Sequence, residues 1–439
     1  MDFLALAMFP FLLALLFLGF PVAFSMMGTA LVFGLLTFGN ALIYQLMDKV
    51  EDVASNFVLA AVPLFVFMGS MLERSGIAAS LYEAIHLWTR RLPGGLALGT
   101  VIMCVIFAAS IGVIGATETV VGLLAIPVML KYAYRHELIA GTICAGGSLG
   151  TIIPPSVVVV VLGPIADVSV GDLMVGMIFP GLILAALYLL YILVLCIASP
   201  TAGPVLPREP DEPPLAQKLQ ATARALVPPL LMIFAVLGSI MLGWAAPTEA
   251  AGIGAAGAVL LTVFYGSFTL RALGEAMLKT LKITSMIMVI LLAGNMLTGV
   301  FVSAGGTALT QRLVEGLALG PWGVLGLVLF LAFVAGFFLD WISIVLILVP
   351  TFTPVLRAQG VDLVWFCILF LIVIQTSYLT PPMAPAIFYL RGISPPEMTI
   401  HQMYRGVVPF ILAQLVCLAI VMAFPQTVLW LPSKLLGFR

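Results

Sequence analysis

The sequence predicts an all-α polytopic membrane protein made of two inverted repeats, each with a re-entrant hairpin and a broken helix. Three observations predict it. Of 439 residues, 63% are apolar and 8% charged, and the mean hydropathy is +1.23. A soluble domain carries roughly a quarter charged residues, so 18 basic and 19 acidic side chains cannot build a water-facing surface for this chain. Apolar runs long enough to cross about 30 Å of hydrocarbon follow one another from end to end. Finally, the prolines and glycines that interrupt those runs recur at a nearly constant displacement.

The same totals exclude whole classes of function. A net charge of −1 leaves no broad basic face for nucleic acid, while the apolar surface implies membrane lipids as surroundings. Cys104, Cys144, Cys196, Cys367 and Cys417 sit in apolar runs with no paired spacing, so they read as buried hydrophobes with neither disulfides nor a thiolate metal site. His86, His136 and His401 are too scattered for a histidine metal site. A phosphate-cradling glycine loop is absent, which excludes ATP-driven pumping by this chain alone.

Taken in order, the run 3–19 lacks a basic leader and a small-residue cleavage site, so it reads as the first span. The runs 21–38 and 57–72 follow, with an amphipathic stretch at 41–56 between them and another at 77–91. Runs 95–117 and 118–133 are short and broken by Ser110-Ile111-Gly112, which suits a re-entrant hairpin over 94–133. Run 138–165 contains Pro154-Pro155, and 173–198 completes the first repeat (1–198). Residues 199–225 are polar, proline-rich and mixed in charge, as expected of a solvent-exposed connector. The second repeat (226–439) has spans at 226–244 and 247–266, an amphipathic stretch at 268–282 and a span at 283–302. A hairpin over 321–357 follows, interrupted at Phe338-Leu339-Asp340. Run 362–390 is broken by Pro381-Pro382, and 406–432 is last.

The two halves match at their interruptions. Pro21 with Gly28 answers to Pro247 with Gly254, 226 positions on; Pro154-Pro155 answers to Pro381-Pro382, 227 on; Pro127 answers to Pro350, 223 on. The string GLALG occurs at Gly95–Gly99 and again at Gly316–Gly320. Such repeats are common in secondary transporters. Charge sets their relative orientation. The loop after the second span is acidic in the first half (Asp48, Glu51, Asp52) and basic in the second (Arg271, Lys279, Lys282). With both termini outside, 13 of the 18 basic residues fall inside: Arg74, Arg90, Arg91, Lys131, Arg135, Arg208, Lys218, Arg224, Arg271, Lys279, Lys282, Arg391 and Arg405. Positive residues favour the cytoplasmic side, so the repeats are inverted, the termini periplasmic and the connector cytoplasmic.

Three acids lie deep in apolar sequence: Glu118, Glu249 and Asp340. Insertion scales charge about 2.5–3.5 kcal/mol for a mid-membrane Asp, so such residues face a partner or a cavity. Glu249 follows Pro247 and reads as a helix cap; Glu118 and Asp340 sit at hairpin tips, where capping and function are both open. The double prolines are the most specific signal. Each removes two N–H donors and ends its helix. The freed carbonyls, with the hydroxyls of Ser148, Thr151, Ser156, Thr376, Ser377 and Thr380, become oxygen ligands at mid-membrane depth, where unwound backbone binds Na⁺ and half-helix N-termini face anions.

These residues resemble a known family. GWAAPTEAAGIGA, GGSLGTIIPPS, FLDWISIVLILVPTFTPV and LTPPMAPAIFYLRGIS are similar, in order and over nearly the whole chain, to the large membrane subunit (DctM-like) of tripartite ATP-independent periplasmic (TRAP) transporters. The resemblance implies the elevator-type ion-transporter architecture in a bacterial inner membrane. It also implies Na⁺-coupled import of an organic acid of the carboxylate, dicarboxylate or sialic acid class, and two partners: a small four-helix membrane subunit and a periplasmic substrate-binding protein. By position it implies one Na⁺ site per half. The first uses Ser110, Gly112, Gly115, Gly150, Thr151 and Pro154; the second uses Gly336, Asp340, Thr376, Ser377, Thr380 and Met383. The substrate would lie between the tips, near Thr117, Pro155, Ser156, Ser343 and Pro382. The first tip, ASIGVIGATET, has fewer serines than the family pattern, and neither tip has an arginine to hold a carboxylate. A stand-alone anion or proton/sodium antiporter of the same architecture is the alternative. An intramembrane enzyme is disfavoured by the lack of a nucleophile–base pair, and a channel by the inverted repeat.

Overall fold

The computed structural model describes residues 2–111, 115–207, 214–317 and 319–437, and every regular element in them is helical. In chain order these are α1 (Asp2–Phe17), α2 (Val22–Phe38), α3 (Leu42–Ala54), α4 (Ala61–Arg74), α5 (Ile77–Thr89), α6 (Gly95–Ile111) and α7 (Ala116–Lys131). Then come α8 (His136–Ser148), α9 (Val157–Ala166), α10 (Val170–Gly176), α11 (Ile178–Ala198), α12 (Leu215–Met241), α13 (Pro247–Phe264) and α14 (Leu270–Ser303). The chain closes with α15 (Gly306–Gly316), α16 (Pro321–Ala335), α17 (Trp341–Ala358), α18 (Leu363–Leu379), α19 (Pro385–Ile393), α20 (Ile400–Ala423) and α21 (Gln426–Leu435). Among the described residues eight helices are long and apolar enough to cross a membrane, or nine if α15 and α16, bent by 120° at their junction, form one span. This is an all-helical polytopic membrane protein.

The Pro154-Pro155 and Pro381-Pro382 interruptions become ends of helices, whereas Pro127 and Pro350 lie inside α7 and α17. Each Pro-Pro pair leaves two pieces too short to span alone: α8 and α9 have 13 and 10 residues, or about 20 and 15 Å at 1.5 Å per residue. The second pair likewise separates α18 from the nine-residue α19. The three acids set in apolar sequence all cap helices, although only Glu118 is buried, Asp340 being half-buried and Glu249 exposed. Asp340 accepts from the Ile342 N–H at 3.1 Å at the start of α17; Glu118 accepts from the Gly115 N–H at 2.6 Å before α7; Glu249 accepts from the Ala246 N–H at 2.8 Å before α13. Each satisfies a donor that an apolar surrounding would otherwise strand.

The core runs through α8, α9 and α18, where nearly every side chain is buried, including Val364 through Ser377. In hydrocarbon there is no hydrophobic drive between helices, so tight packing depends on small residues. Gly141 and Gly406 provide it where α8 crosses α20. A Cβ on Gly141 would lie 2.2 Å from the Gly406 carbonyl oxygen, and one on Gly406 would lie 2.1 Å from that of Glu137. The outer surface is the reverse: Phe17, Leu36, Phe234, Trp244 and Leu260 are exposed, as a lipid-facing wall requires.

Two segments differ from the linear reading. The stretch 268–282 is not separate from the span that follows: α14 runs unbroken for 34 residues, about 51 Å. Thr269 caps its start, accepting from the Ala272 N–H, and its charged first turns are held by ion pairs to the end of α4, Lys279 with Glu73 and Glu275 with Arg74. The second difference is the connector, which is helical from Leu215 onward. Its first residues are bound to the base of the first hairpin: Gly94 N–H donates to Gly203 O at 3.0 Å, Arg135 N–H to Ala202 O at 3.0 Å and Leu206 N–H to Arg90 O at 3.2 Å.

Candidate functional site

A cavity of about 820 Å³ opens where the two hairpin-and-break units meet, bounded also by α2 and α14. From the first unit it takes Ser148, Thr151, Val157 and Val158; from the second it takes Gly336, Asp340, Trp341, Gln375, Ser377, Tyr378 and Tyr389. Thr151, expected in a first site, and Gly336, Asp340 and Ser377, expected in a second, therefore border one space.

The geometry around Asp340 is built by its own turn. Its carboxylate caps α17 through Ile342 and also accepts from the Ser343 hydroxyl, which is wholly buried. Four residues earlier, Gly336 lies against Ser377 so closely that a Cβ there would be 2.0 Å from Ser377 Oγ. Only glycine lets the tip of this hairpin touch the end of α18. The wall hydroxyls share one feature: their hydrogens point to backbone carbonyls. Ser148 donates to Ala145 O, Thr151 to Ser148 O and Ser377 to Ile374 O, each at 2.8 Å. What they leave available is oxygen lone pairs. The Ser148 oxygen also accepts from Gln375 Nε2 at 3.0 Å, and Gln375 Oε1 is buried without a partner.

The other expected residues sit around this space. Gly115 is the left-handed residue before α7, with φ of 84°, and stacks under the Tyr389 ring. Gly150 is buried in the single turn Leu149–Thr151 that ends α8, and Pro154, Pro155 and Ser156 follow it, all buried. Thr117 and Ser156 are fully buried with unpartnered hydroxyls. Thr376 and Thr380, four residues apart, bond the carbonyls of Ile372 and Thr376 along one face of the α18 end and stay out of the cavity lining. Pro382 is exposed and its carbonyl accepts from the Tyr404 hydroxyl at 3.2 Å; Met383 is 47% exposed. Gly112 lies outside the described residues, and Ser110 is described only as part of α6.

Glu118 is at zero exposure against Gly147 of α8. Its carboxylate interacts with the buried hydroxyl of Tyr378, which faces it from α18. Gln375, Tyr378 and Tyr389 carry no ligand-type motif, although Tyr389 falls within the string LTPPMAPAIFYLRGIS. Gln375 lies two positions before Ser377, Tyr378 one after it and Tyr389 twelve after it on α19, so no shared helical spacing marks them.

Comparison with known proteins places this arrangement in a lineage. Residues 9–427 match the family model described as "Tripartite ATP-independent periplasmic transporter, DctM component". A C4-dicarboxylate TRAP transporter large permease from Pseudomonas aeruginosa is 30% identical over 402 residues, covering 91% of this chain and 92% of its own. An ectoine TRAP transporter large permease from Halomonas elongata is 29% identical over 442 residues, covering 98% of each. Among solved structures, the Alcanivorax borkumensis YdaH transporter superposes with a TM-score of 0.68 at 16% identity, over 97% of this chain and 99% of its own. That likeness is one of fold.

Proposed function

The chain belongs to the family of DctM components of tripartite ATP-independent periplasmic transporters, a transporter permease and not an enzyme, and from that premise we propose that it is the large membrane subunit of a Na⁺-coupled importer of an organic acid. It works in the bacterial inner membrane with a small four-helix membrane subunit and a periplasmic substrate-binding protein. Two inverted repeats, 1–198 and 226–439, supply a hairpin and a broken helix each, and the unit they form moves as an elevator against the remaining helices. Both termini face the periplasm, and the connector 199–225 faces the cytoplasm.

The observation that carries the sodium reading is the character of the cavity wall. Thr151, Ser148 and Ser377 offer oxygen lone pairs because their hydrogens are committed elsewhere, and Asp340 adds a carboxylate. Na⁺ is held by such oxygens and by unwound carbonyls at half-helix ends. The two Pro-Pro breaks supply those carbonyls, one set per half, and Gly336 brings the tip near enough to Ser377 for both to share one ion. Coupling follows if the loaded and empty sites differ in charge, because an unbalanced carboxylate at membrane depth resists movement and a balanced one does not.

The test is uptake of a labelled organic acid into proteoliposomes holding this chain and its small-subunit partner. Uptake that needs the substrate-loaded binding protein outside supports the proposal. Equal uptake with the binding protein omitted would instead favour a stand-alone transporter.

A further inference from the structure

Resting on the sodium reading above, we infer that Gln375 and Ser148 form the tie through which the two Na⁺ sites act on each other. An ion held in one half strengthens the binding of the ion in the other. Gln375 is a positioning residue here and holds no ion itself.

The pair is set where the two halves meet. Ser148 ends α8, and Gln375 lies near the end of α18. They are 227 positions apart, and each precedes the first proline of its Pro-Pro pair by six residues. They are therefore equivalent positions of the proposed repeats. Equivalent residues of two repeats touch only at the axis that relates them. Both side chains are buried, and both border the cavity.

The direction of the bond is fixed. The Ser148 hydrogen goes to Ala145 O at 2.8 Å, so its oxygen can only accept. Gln375 must turn Nε2 toward it, at 3.0 Å. From this bond, contacts lead to both sites. Thr151 Oγ1 donates to the Ser148 carbonyl at 2.8 Å. Ser377, two residues beyond Gln375, meets Gly336 at the second hairpin tip. An ion that orders the end of α8 through Thr151 thus restrains the end of α18 before Ser377 is engaged, and the second ion has less left to order.

Packing does not account for the pair. Leu or Met would fill position 375 without burying an amide, which costs free energy in apolar surroundings unless it is bonded. Behind the pair, the Tyr188 hydroxyl of α11 faces Ser148 and Gln414 of α20, so polar groups on helices of both halves continue the tie.

The test is equilibrium binding of radiolabelled Na⁺ to the full chain in lipid nanodiscs, with choline chloride holding the ionic strength. Coupling of about 5–150-fold between two sites of similar affinity gives a Hill coefficient of about 1.4–1.8, and the native chain is expected in that range with two ions bound. Gln375→Met should still bind two ions, but with a Hill coefficient of 1 or below and half-saturation weakened about 2–12-fold. Ser148→Ala removes the other end of the bond and should lower the Hill coefficient equally; it carries the test if Gln375→Met does not fold. Gln375 Oε1 is buried without a partner, so the ion count separates a tie from a ligand. The inference is overturned by a native Hill coefficient of 1 or below, by a native coefficient in folded Gln375→Met, or by loss of one bound ion from that variant. Absence of saturable Na⁺ binding to the native chain defeats the sodium proposal itself, whereas saturable binding without cooperativity defeats only the tie.

Discussion

Replacing Gly336 with alanine would drive a methyl group into Ser377. The new Cβ would lie 2.0 Å from Ser377 Oγ and 2.5 Å from its Cβ, where carbon contacts normally settle near 3.5–4.0 Å. Rotating the Ser377 side chain relieves only the first clash, and it breaks the 2.8 Å bond to Ile374 O, a loss of about 1 kcal/mol. The second clash persists in every rotamer, so the hairpin tip must retreat from α18. Overpacking of this kind costs about 1–3 kcal/mol. Thermal unfolding of Gly336→Ala in detergent should therefore show a lowered midpoint, and a Na⁺ titration of the midpoint should show weaker half-saturation. Adding Ser377→Gly removes both clashing atoms. The double variant should regain most of the lost stability through a coupling of about 0.5–3 kcal/mol, yet it should not regain the Na⁺ response, because the hydroxyl is gone. A Gly336→Ala protein with native stability and native Na⁺ half-saturation would refute the contact and the ion-site geometry built on it.

Other expectations follow from the same structure. Thr151→Ala removes a cavity oxygen and should raise the Na⁺ concentration for half-maximal uptake about tenfold, whereas unchanged Na⁺ dependence would remove Thr151 from the site. Gly406→Ala places a Cβ 2.1 Å from the Glu137 carbonyl oxygen, where backbone meets backbone and neither yields. Size-exclusion of the solubilised variant should show loss of the monodisperse species, and a native profile would contradict the α8–α20 packing. Gln217 is exposed on α12, and the five native cysteines are buried. Gln217→Cys should resist an impermeant maleimide in whole cells and label once the membrane is permeabilised; labelling of intact cells would invert the topology.

Much of this architecture could be read from the sequence because the physics that sets it is local. The breaks at Pro154-Pro155 and Pro381-Pro382 appear where expected, between α8 and α9 and between α18 and α19, whereas Pro228-Pro229 is carried inside α12 and Pro127 and Pro350 inside α7 and α17. A deep carboxylate must satisfy a donor, and Glu118, Glu249 and Asp340 each do so at a helix start. The unity of α14 was less legible. Its charged first turns read as an interfacial segment, and what joins them to the span is the absence of a breaker plus ion pairs to Glu73 and Arg74, which are long-range facts. The eleven-residue α15 leaves no mark in the sequence because it has no apolar run long enough to register. At the site, hydroxyl residues near the breaks were easy to name, but their facing was not. Thr376 and Thr380 share a face that turns inward to their own helix, while Ser377, one residue on, meets Gly336. Tyr378, Tyr389 and Gln375 enter the cavity wall through the approach of the two units, a long-range fact that local sequence does not carry.

The central claim is that solute movement is driven by sodium through the two hairpin-and-break units. The most direct measurement is the initial rate of binding-protein-dependent uptake into proteoliposomes under an inward Na⁺ gradient, compared with the same vesicles after a Na⁺ ionophore has collapsed it. The account predicts concentrative uptake with the gradient and only equilibration without it. Equal, concentrative uptake in both conditions would contradict it.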